Sequence, residues 1–297
     1  MAITAHDPSI LLRRKLWRGL LYFLVIALAV MFMFPYFWAV SSSLKAADEL
    51  YLFPPALLPK VAHPENYVYV LQGTWGMQSR FDLWMRNTVI ITLLSTIGVV
   101  GSATIVSYAF ARLDWPGRDL IFLLTLATLM LPREVTIIPR FLIFHRLGWL
   151  DTWLPLVVPG FFGGGAFDVF LLRQFSRTIP HELDEAAVID GAGHFRILTT
   201  IIVPLMKPAI ATLTLIHMVW RWSDFFEPLI YLTSSDKFPV SVGLRFFEEW
   251  GTTVGIGVPQ DHYLMACCVM SSLPILVLFF FTQRYFVQGI VMTGLKA

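Results

Sequence analysis

Six stretches of this chain are each apolar over roughly twenty residues, the length a helix needs to cross a lipid bilayer. They run over about Trp17–Val40, Met85–Phe110, Leu120–Phe144, Trp153–Leu172, Ala209–Leu232 and Leu264–Phe286. The expectation is an all-α integral membrane protein, one transmembrane domain over residues 1–297 with six spanning helices. Composition points the same way. Apolar residues make up 57% and charged residues 14%, whereas a soluble domain has about 45–50% and 25%. Disorder, a collagen-like repeat and a disulfide scaffold are excluded, and a soluble enzyme does not fit.

Pro132, Pro139, Pro155 and Pro159 interrupt the third and fourth runs. Proline kinks a spanning helix, and neighbouring helices can satisfy the carbonyl it frees. Arg13, Arg14, Lys15 and Arg18 precede the first run, as in a signal peptide. That run is longer than a signal h-region of ~7–15 residues, so it reads as an uncleaved first span. With both termini in the cytoplasm, twelve of the 22 basic residues fall on the inner side, in the shorter loops, as the positive-inside tendency requires. The net charge of +2 leaves no nucleic-acid footprint. Cys267 and Cys268 are adjacent in an apolar run and read as inert packing residues. His145, His194 and His217 are too scattered to suggest a metal site.

The inner segment over residues 173–208 is long and carries the most information. Pro180 suits a first helical turn, where its missing amide costs nothing. Glu182, Asp184 and Glu185 crowd that turn and complement the positive end of the helix dipole. Gly191 is placed to end the helix. A second helix is expected from about Gly193 to Pro204, before the next membrane entry near Pro208. The element is a helix, a glycine turn and a helix on the cytoplasmic surface. By pattern alone it is either a cover for the bundle or a surface that another protein approaches across small residues.

The residues themselves favour the second reading. Glu185-Ala186-Ala187, then Gly191, Ile201 and Pro204 resemble the EAA motif of ABC-importer permeases at the same spacing throughout. Val203 stands where the family usually has Leu, and Asp190 and Ala192 match the DGA form of its sugar-uptake branch. The resemblance extends along the chain. Pro35–Trp38 with Ser41–Lys45, Asn66-Tyr67, Asn87-Thr88, Trp220–Asp224 with Pro228-Leu229, and Gln283–Gly289 with Thr293–Lys296 resemble the second, six-span permease of maltose-type systems. Ser223 stands where that family usually has Asn.

The resemblance implies a permease that imports a sugar across the cytoplasmic membrane by alternating access. It implies a second permease subunit, a cytoplasmic ATPase dimer carrying ATP and Mg, and an extracytoplasmic sugar-binding protein. It implies that Glu185, Ala186, Ala187, Asp190, Gly191, Ala192 and Pro204 belong to the coupling loop that docks on the ATPase, and that the carboxy-terminal tail reaches toward the same subunit.

Asp168 is the acidic residue well inside a span, after Gly163–Gly165. A carboxylate in hydrocarbon is costly, so it either lines the solute path or pairs with an arginine or a backbone amide. Trp220 and Trp222 either stack on sugar or belong to an interfacial belt. Asp224 and Glu227 sit near the outer mouth, and Arg133 and Glu134 form a candidate outer pair. An intramembrane enzyme is the rival class. No H-E-x-x-H occurs, since His181-Glu182 is followed by Leu183-Asp184-Glu185, and no phosphate-binding G-x-x-x-x-G-K-[ST] occurs. The chain therefore carries no ATPase motif and no cofactor motif. A secondary carrier usually shows more spans or internal repeats. A polyol or a glycerol phosphodiester remains as an alternative solute.

Overall fold

The computed structural model describes residues 8–73, 80–253 and 261–294. The described residues are helical, with turns and no strand. They divide into two units, Met1–Trp75 with Trp250–Met270, and Gly76–Glu249 with Ser271–Ala297.

The first unit is dominated by α1 (Pro8–Ser43). Its apolar side chains from Leu16 to Phe34 are exposed, so lipid or a partner must cover them. At its end Ser41, Ser42, Ser43 and Lys45 are all buried. Lys45 Nζ donates to the Ala56 carbonyl at 2.6 Å and lies 4.5 Å from the Trp38 ring. Asn66, in α2 (Glu65–Gln72), donates to the carbonyls of Ser43 and Lys45 at 2.9 and 3.0 Å. The two signatures at 41–45 and 66–67 are thus halves of one hydrogen-bonded knot, in which backbone groups that have left the helix find partners.

The second unit is built on α3 (Phe81–Arg112), a 32-residue helix half buried along its apolar stretch. Next come α4 (Arg118–Ala127) and α5 (Arg133–Arg146), which form a pair bent by 105°. The short α6 (Leu154–Val157), a 3-10 turn at Val158–Phe161 and α7 (Ala166–Ser176) form the next run. Then α8 (Glu182–Ile189), α9 (His194–Ile197), a π turn at Leu198–Ile202 and α10 (Val203–Leu205) lead into α11 (Lys207–Trp222). The chain continues through α12 (Phe226–Tyr231) and α13 (Val240–Thr253) into α14 (Asp261–Gly294).

Among the described residues four helices are long and apolar enough to span a membrane, or six if each bent pair is one span. The second bent pair is His194–Leu205 with Lys207–Trp222, at 79°. The stretch expected as one helix over 209–232 is therefore α11, a break at Ser223–Phe225, and α12. Residues 194–205 join α11 at that bend. Pro204 and Pro208 bracket that bend, because each removes a backbone donor from the ladder.

Around α3 pack α7 and α11, with a core of Ala103, Tyr108, Phe110, Val169, Leu172, Ile202 and Leu213. Gly164 permits a close approach to α3. Its φ is +67°, and a Cβ there would lie 3.0 Å from Ala103 Cβ and 3.1 Å from the Val99 carbonyl. At the far end of α3, Asn87 Nδ2 donates to the carbonyls of Asp236 and Phe238 at 2.8 and 3.0 Å. Thr88 Oγ1 accepts from the Val240 amide at 2.7 Å. These two residues are the Asn-Thr signature, and they tie the 235–240 segment to α3. The same segment is held by Asp151, which accepts from the amides of Thr233 and Ser234 and pairs with Lys237 at 2.7 Å. Partial burial pushes the Asp151 carboxyl up, but the Lys237 ammonium, the Ser234 hydroxyl and the two amides outweigh it and hold the group well below the usual carboxylate range.

Candidate functional sites: the glycine turn and an ion-paired cavity

The first site is the turn after α8. Gly191 has φ +78°, which a side chain other than Gly or Asn resists. The Ala192 amide donates to the Ala187 carbonyl and the Gly191 amide to the Val188 carbonyl, both at 2.9 Å. That is the two-bond cap that closes a helix around a left-handed glycine. Glu185, Ala186, Asp190, Gly191 and Pro204 are exposed, and Ala192 is half-buried. Ala187 faces the other way, buried in the core with Ile197 and Ile202. It anchors α8 to the core. The exposed face carries apolar groups that the motif does not name, with Ile189 85% and Phe195 74% exposed.

The second site is a cavity of about 540 Å³ within the second unit. Its wall includes Asp168, Trp220 and Asp224, three of the four residues expected along a solute path. Trp222 is elsewhere, its indole donating to the Ser271 carbonyl at 3.1 Å on α14. Asp168 accepts from the Gly165 amide at 2.8 Å. Asp168 thus pairs with a backbone amide that caps α7, and it also lines the cavity.

The cavity also holds a charge network. Arg140 on α5 pairs with Glu227 on α12 at 2.9 Å, and Arg221 on α11 pairs with Asp224 at 2.7 Å and with Glu227 at 3.2 Å. Glu227 and Arg221 keep only 14% and 16% of their side chains exposed. His217 Nδ1 lies 3.1 Å from Thr96 Oγ1 on α3. Arg140, Arg221 and His217 were missed from the sequence, although a charge inside an apolar run is a functional signal by default. The side chains of Arg133 and of residues 283–294 lie outside the described residues, as does the whole of 295–297.

Residues 103–292 match the family described as "Binding-protein-dependent transport system inner membrane component". The chain belongs to that family. It is an ABC-transporter permease, a multi-pass protein of the plasma membrane. The permease is 30% identical over 294 residues to the arabinooligosaccharides transport system permease of Bacillus subtilis (strain 168), covering 98% of this chain and 99% of that one. It is 30% identical over 285 residues to the trehalose/maltose transport system permease of Thermococcus litoralis, covering 94% and 97%. To the sn-glycerol-3-phosphate transport system permease of Brucella abortus (strain 2308) it is 31% identical over 264 residues, covering 88% and 91%. A crystal structure of a bacterial ABC transporter involved in alginate import has the same fold, at a TM-score of 0.79 and 23% identity over 96% of this chain and all of that one.

Proposed function

We propose that this permease imports a sugar across the plasma membrane by alternating access. A second permease subunit completes the pore, a cytoplasmic ATPase dimer supplies ATP and Mg chemistry, and an extracytoplasmic binding protein delivers the sugar. The exposed turn at Glu185, Ala186, Asp190, Gly191 and Ala192 docks on the ATPase, which puts this end and both termini in the cytoplasm. The cavity around Asp168, Trp220 and Asp224 lies on the solute path. Trp220 is 59% exposed and offers a flat face for a sugar ring.

One observation carries the choice of solute. Both guanidiniums in the cavity wall are already paired with carboxylates of this chain. They present no spare positive charge for a phosphate, while carboxylate oxygens and an indole suit hydroxyls and a C–H face. That favours a sugar over the glycerol-phosphate class named for one relative. The test is ATP hydrolysis by the assembled transporter in proteoliposomes, with its binding protein, against neutral sugars, polyols and glycerol phosphate. Stimulation by a neutral sugar is the expected result. Stimulation by glycerol phosphate alone would overturn the choice of solute, and a chain that assembles with no ATPase would overturn the docking role.

A further inference from the structure

The helix α8 is weakly attached for an element that would have to transmit force. It has eight residues, and among them only Ala187 is buried. One methyl group against the core is a small apolar contact. Something stiffer is needed if a push on α8 is to move the bundle, and the structure supplies one side chain for it.

That side chain is Arg112, the last residue of α3. Only 1% of it is exposed, and its guanidinium is wrapped by the corner between α7 and α8. Nη2 donates to the carbonyls of Ser176 and Ile179, both at 2.7 Å. Nε lies 3.4 Å from Ser176 Oγ, and Nη1 lies 3.5 Å from the Pro180 carbonyl. Nη1 also pairs with Asp184, in the first turn of α8, at 3.2 Å. The Ser176 carbonyl is one of those the end of α7 leaves without an intrahelical partner, and a cation there also complements the negative end of the helix dipole. The carboxylate it meets on α8 sits at the positive end of the next helix. One planar fork thus closes one helix, opens another and belongs to a third. Two further titratable groups interact with Asp184, His181 at 4.0 Å on the exposed side and Tyr108, whose ring lies in the core.

The two helices gripped by Arg112 both reach the cavity. On α3, Val99 lines its wall, and Ser102 Oγ donates at 2.7 Å to the carbonyl of Gly160, another wall residue. On α7, Phe167 and Asp168 line it. We propose that Arg112 is the positioning residue that couples α8 to the solute cavity, by locking the α7–α8 corner onto α3 so that displacement of α8 moves two cavity walls as one body. Without it α8 would slide on a single methyl, and the turn could engage a partner without moving the cavity. The inference rests on the docking reading of the turn given above.

The test uses the complete transporter in proteoliposomes and reads solute imported per ATP hydrolysed, beside ATPase rate and complex yield. Arg112→Ala is expected to lower import per ATP about tenfold while ATPase stays within about twofold of the parent, the scale of effect seen when a coupling link is cut. Arg112→Lys keeps the charge but loses the planar fork, so it is expected to restore only part of the ratio. Asp184→Asn removes the ion pair and leaves the carbonyl bonds of Arg112 in place, with an expected loss of about two- to threefold on the same scale. A parent-like ratio in Arg112→Ala would overturn the proposal, and so would a parallel fall of import, ATPase and yield, which marks a merely structural role. If Arg112→Ala fails to assemble, parent-like ratios in both Arg112→Lys and Asp184→Asn overturn it. Glu185→Lys separates this from the docking reading. Normal import in that variant would sink the docking role itself, whereas its failure beside fully coupled Arg112 and Asp184 variants would sink only the clamp.

Discussion

Glu227→Gln tests whether the cavity network is held together by charge. Glu227 is the hub, accepting from Arg140 at 2.9 Å and from Arg221 at 3.2 Å. Glutamine keeps the shape and one acceptor oxygen but removes the negative charge. Breaking a buried ion pair by neutralising one partner costs about 3–5 kcal/mol, because the other charge stays behind without compensation. Two features reduce that here. Arg221 keeps Asp224 at 2.7 Å, and about a third of the Arg140 side chain (35%) meets solvent, which screens it. A net loss of about 2–3 kcal/mol follows on that scale. For a chain of this size that is about 4–8 °C in thermal midpoint. The assay is thermal unfolding of the purified assembly, with Arg140→Gln and the double variant alongside. If the unpaired guanidinium causes the loss, removing Arg140 as well recovers about half of it, as coupled neighbours do. Strict additivity of the two single losses, or an unchanged midpoint in Glu227→Gln, would refute the reasoning.

Three further outcomes follow from the geometry. Gly191→Pro forces φ from +78° to about −65°, so α8 loses its cap; import should be lost while membrane insertion, followed by protease accessibility, is kept. Asn87→Ala removes both donors to the carbonyls of Asp236 and Phe238; leaving buried acceptors unmet should cost about 2–4 kcal/mol, read as a lowered midpoint and faster amide exchange over 235–240. Because Asp151 is held below the usual carboxylate range, its contribution is fully present above its unfolded pKa of ~4 and is lost as pH falls through the depressed folded value. Acid stability curves of the parent should therefore fall below about pH 4 more steeply than those of Asp151→Asn; superimposable curves would show that the carboxylate does not hold this segment.

The helices were legible because long apolar runs need no periodicity to be seen. The bends were not, although Pro132, Pro204 and Pro208 were visible. A proline says that a helix is interrupted, while the angles of 105° and 79° are set by packing. The turn at Gly191 was legible since only a left-handed cap places glycine there. The inward side of Ala187 was not, because alanine suits a core and a surface equally. Trp220 and Trp222 could have been separated in advance. Two residues apart on a helix they point to different faces, so one cavity could not hold both. Arg140 and Arg221 were not legible, because a paired guanidinium looks in sequence like any loop-end arginine.

The interruptions themselves carry the deeper signal. Helix breaks occur at Thr128–Pro132, at Val158–Gly165 and at Ser223–Phe225. Each contributes wall residues to the same cavity: Thr128 and Leu131, then Pro159, Gly160, Gly164 and Gly165, then Asp224. Backbone that leaves the helix at membrane depth exposes donors and acceptors which lipid cannot satisfy, so it is tolerated where protein buries it or where it lines a wet cavity. Three separate breaks on three runs would be three separate costs if each faced lipid. Gathered around one cavity they share one polar space, and the ion-paired arginines occupy it for the same reason. Proline and glycine in an apolar run therefore locate the cavity better than any single charged residue does. Asp168 was legible as a carboxylate inside a span, and it also follows three glycines; Arg140, missed in the sequence, lies on a helix that begins after one of the breaks. The polar groups and the irregular backbone mark the cavity together because both need the same shelter.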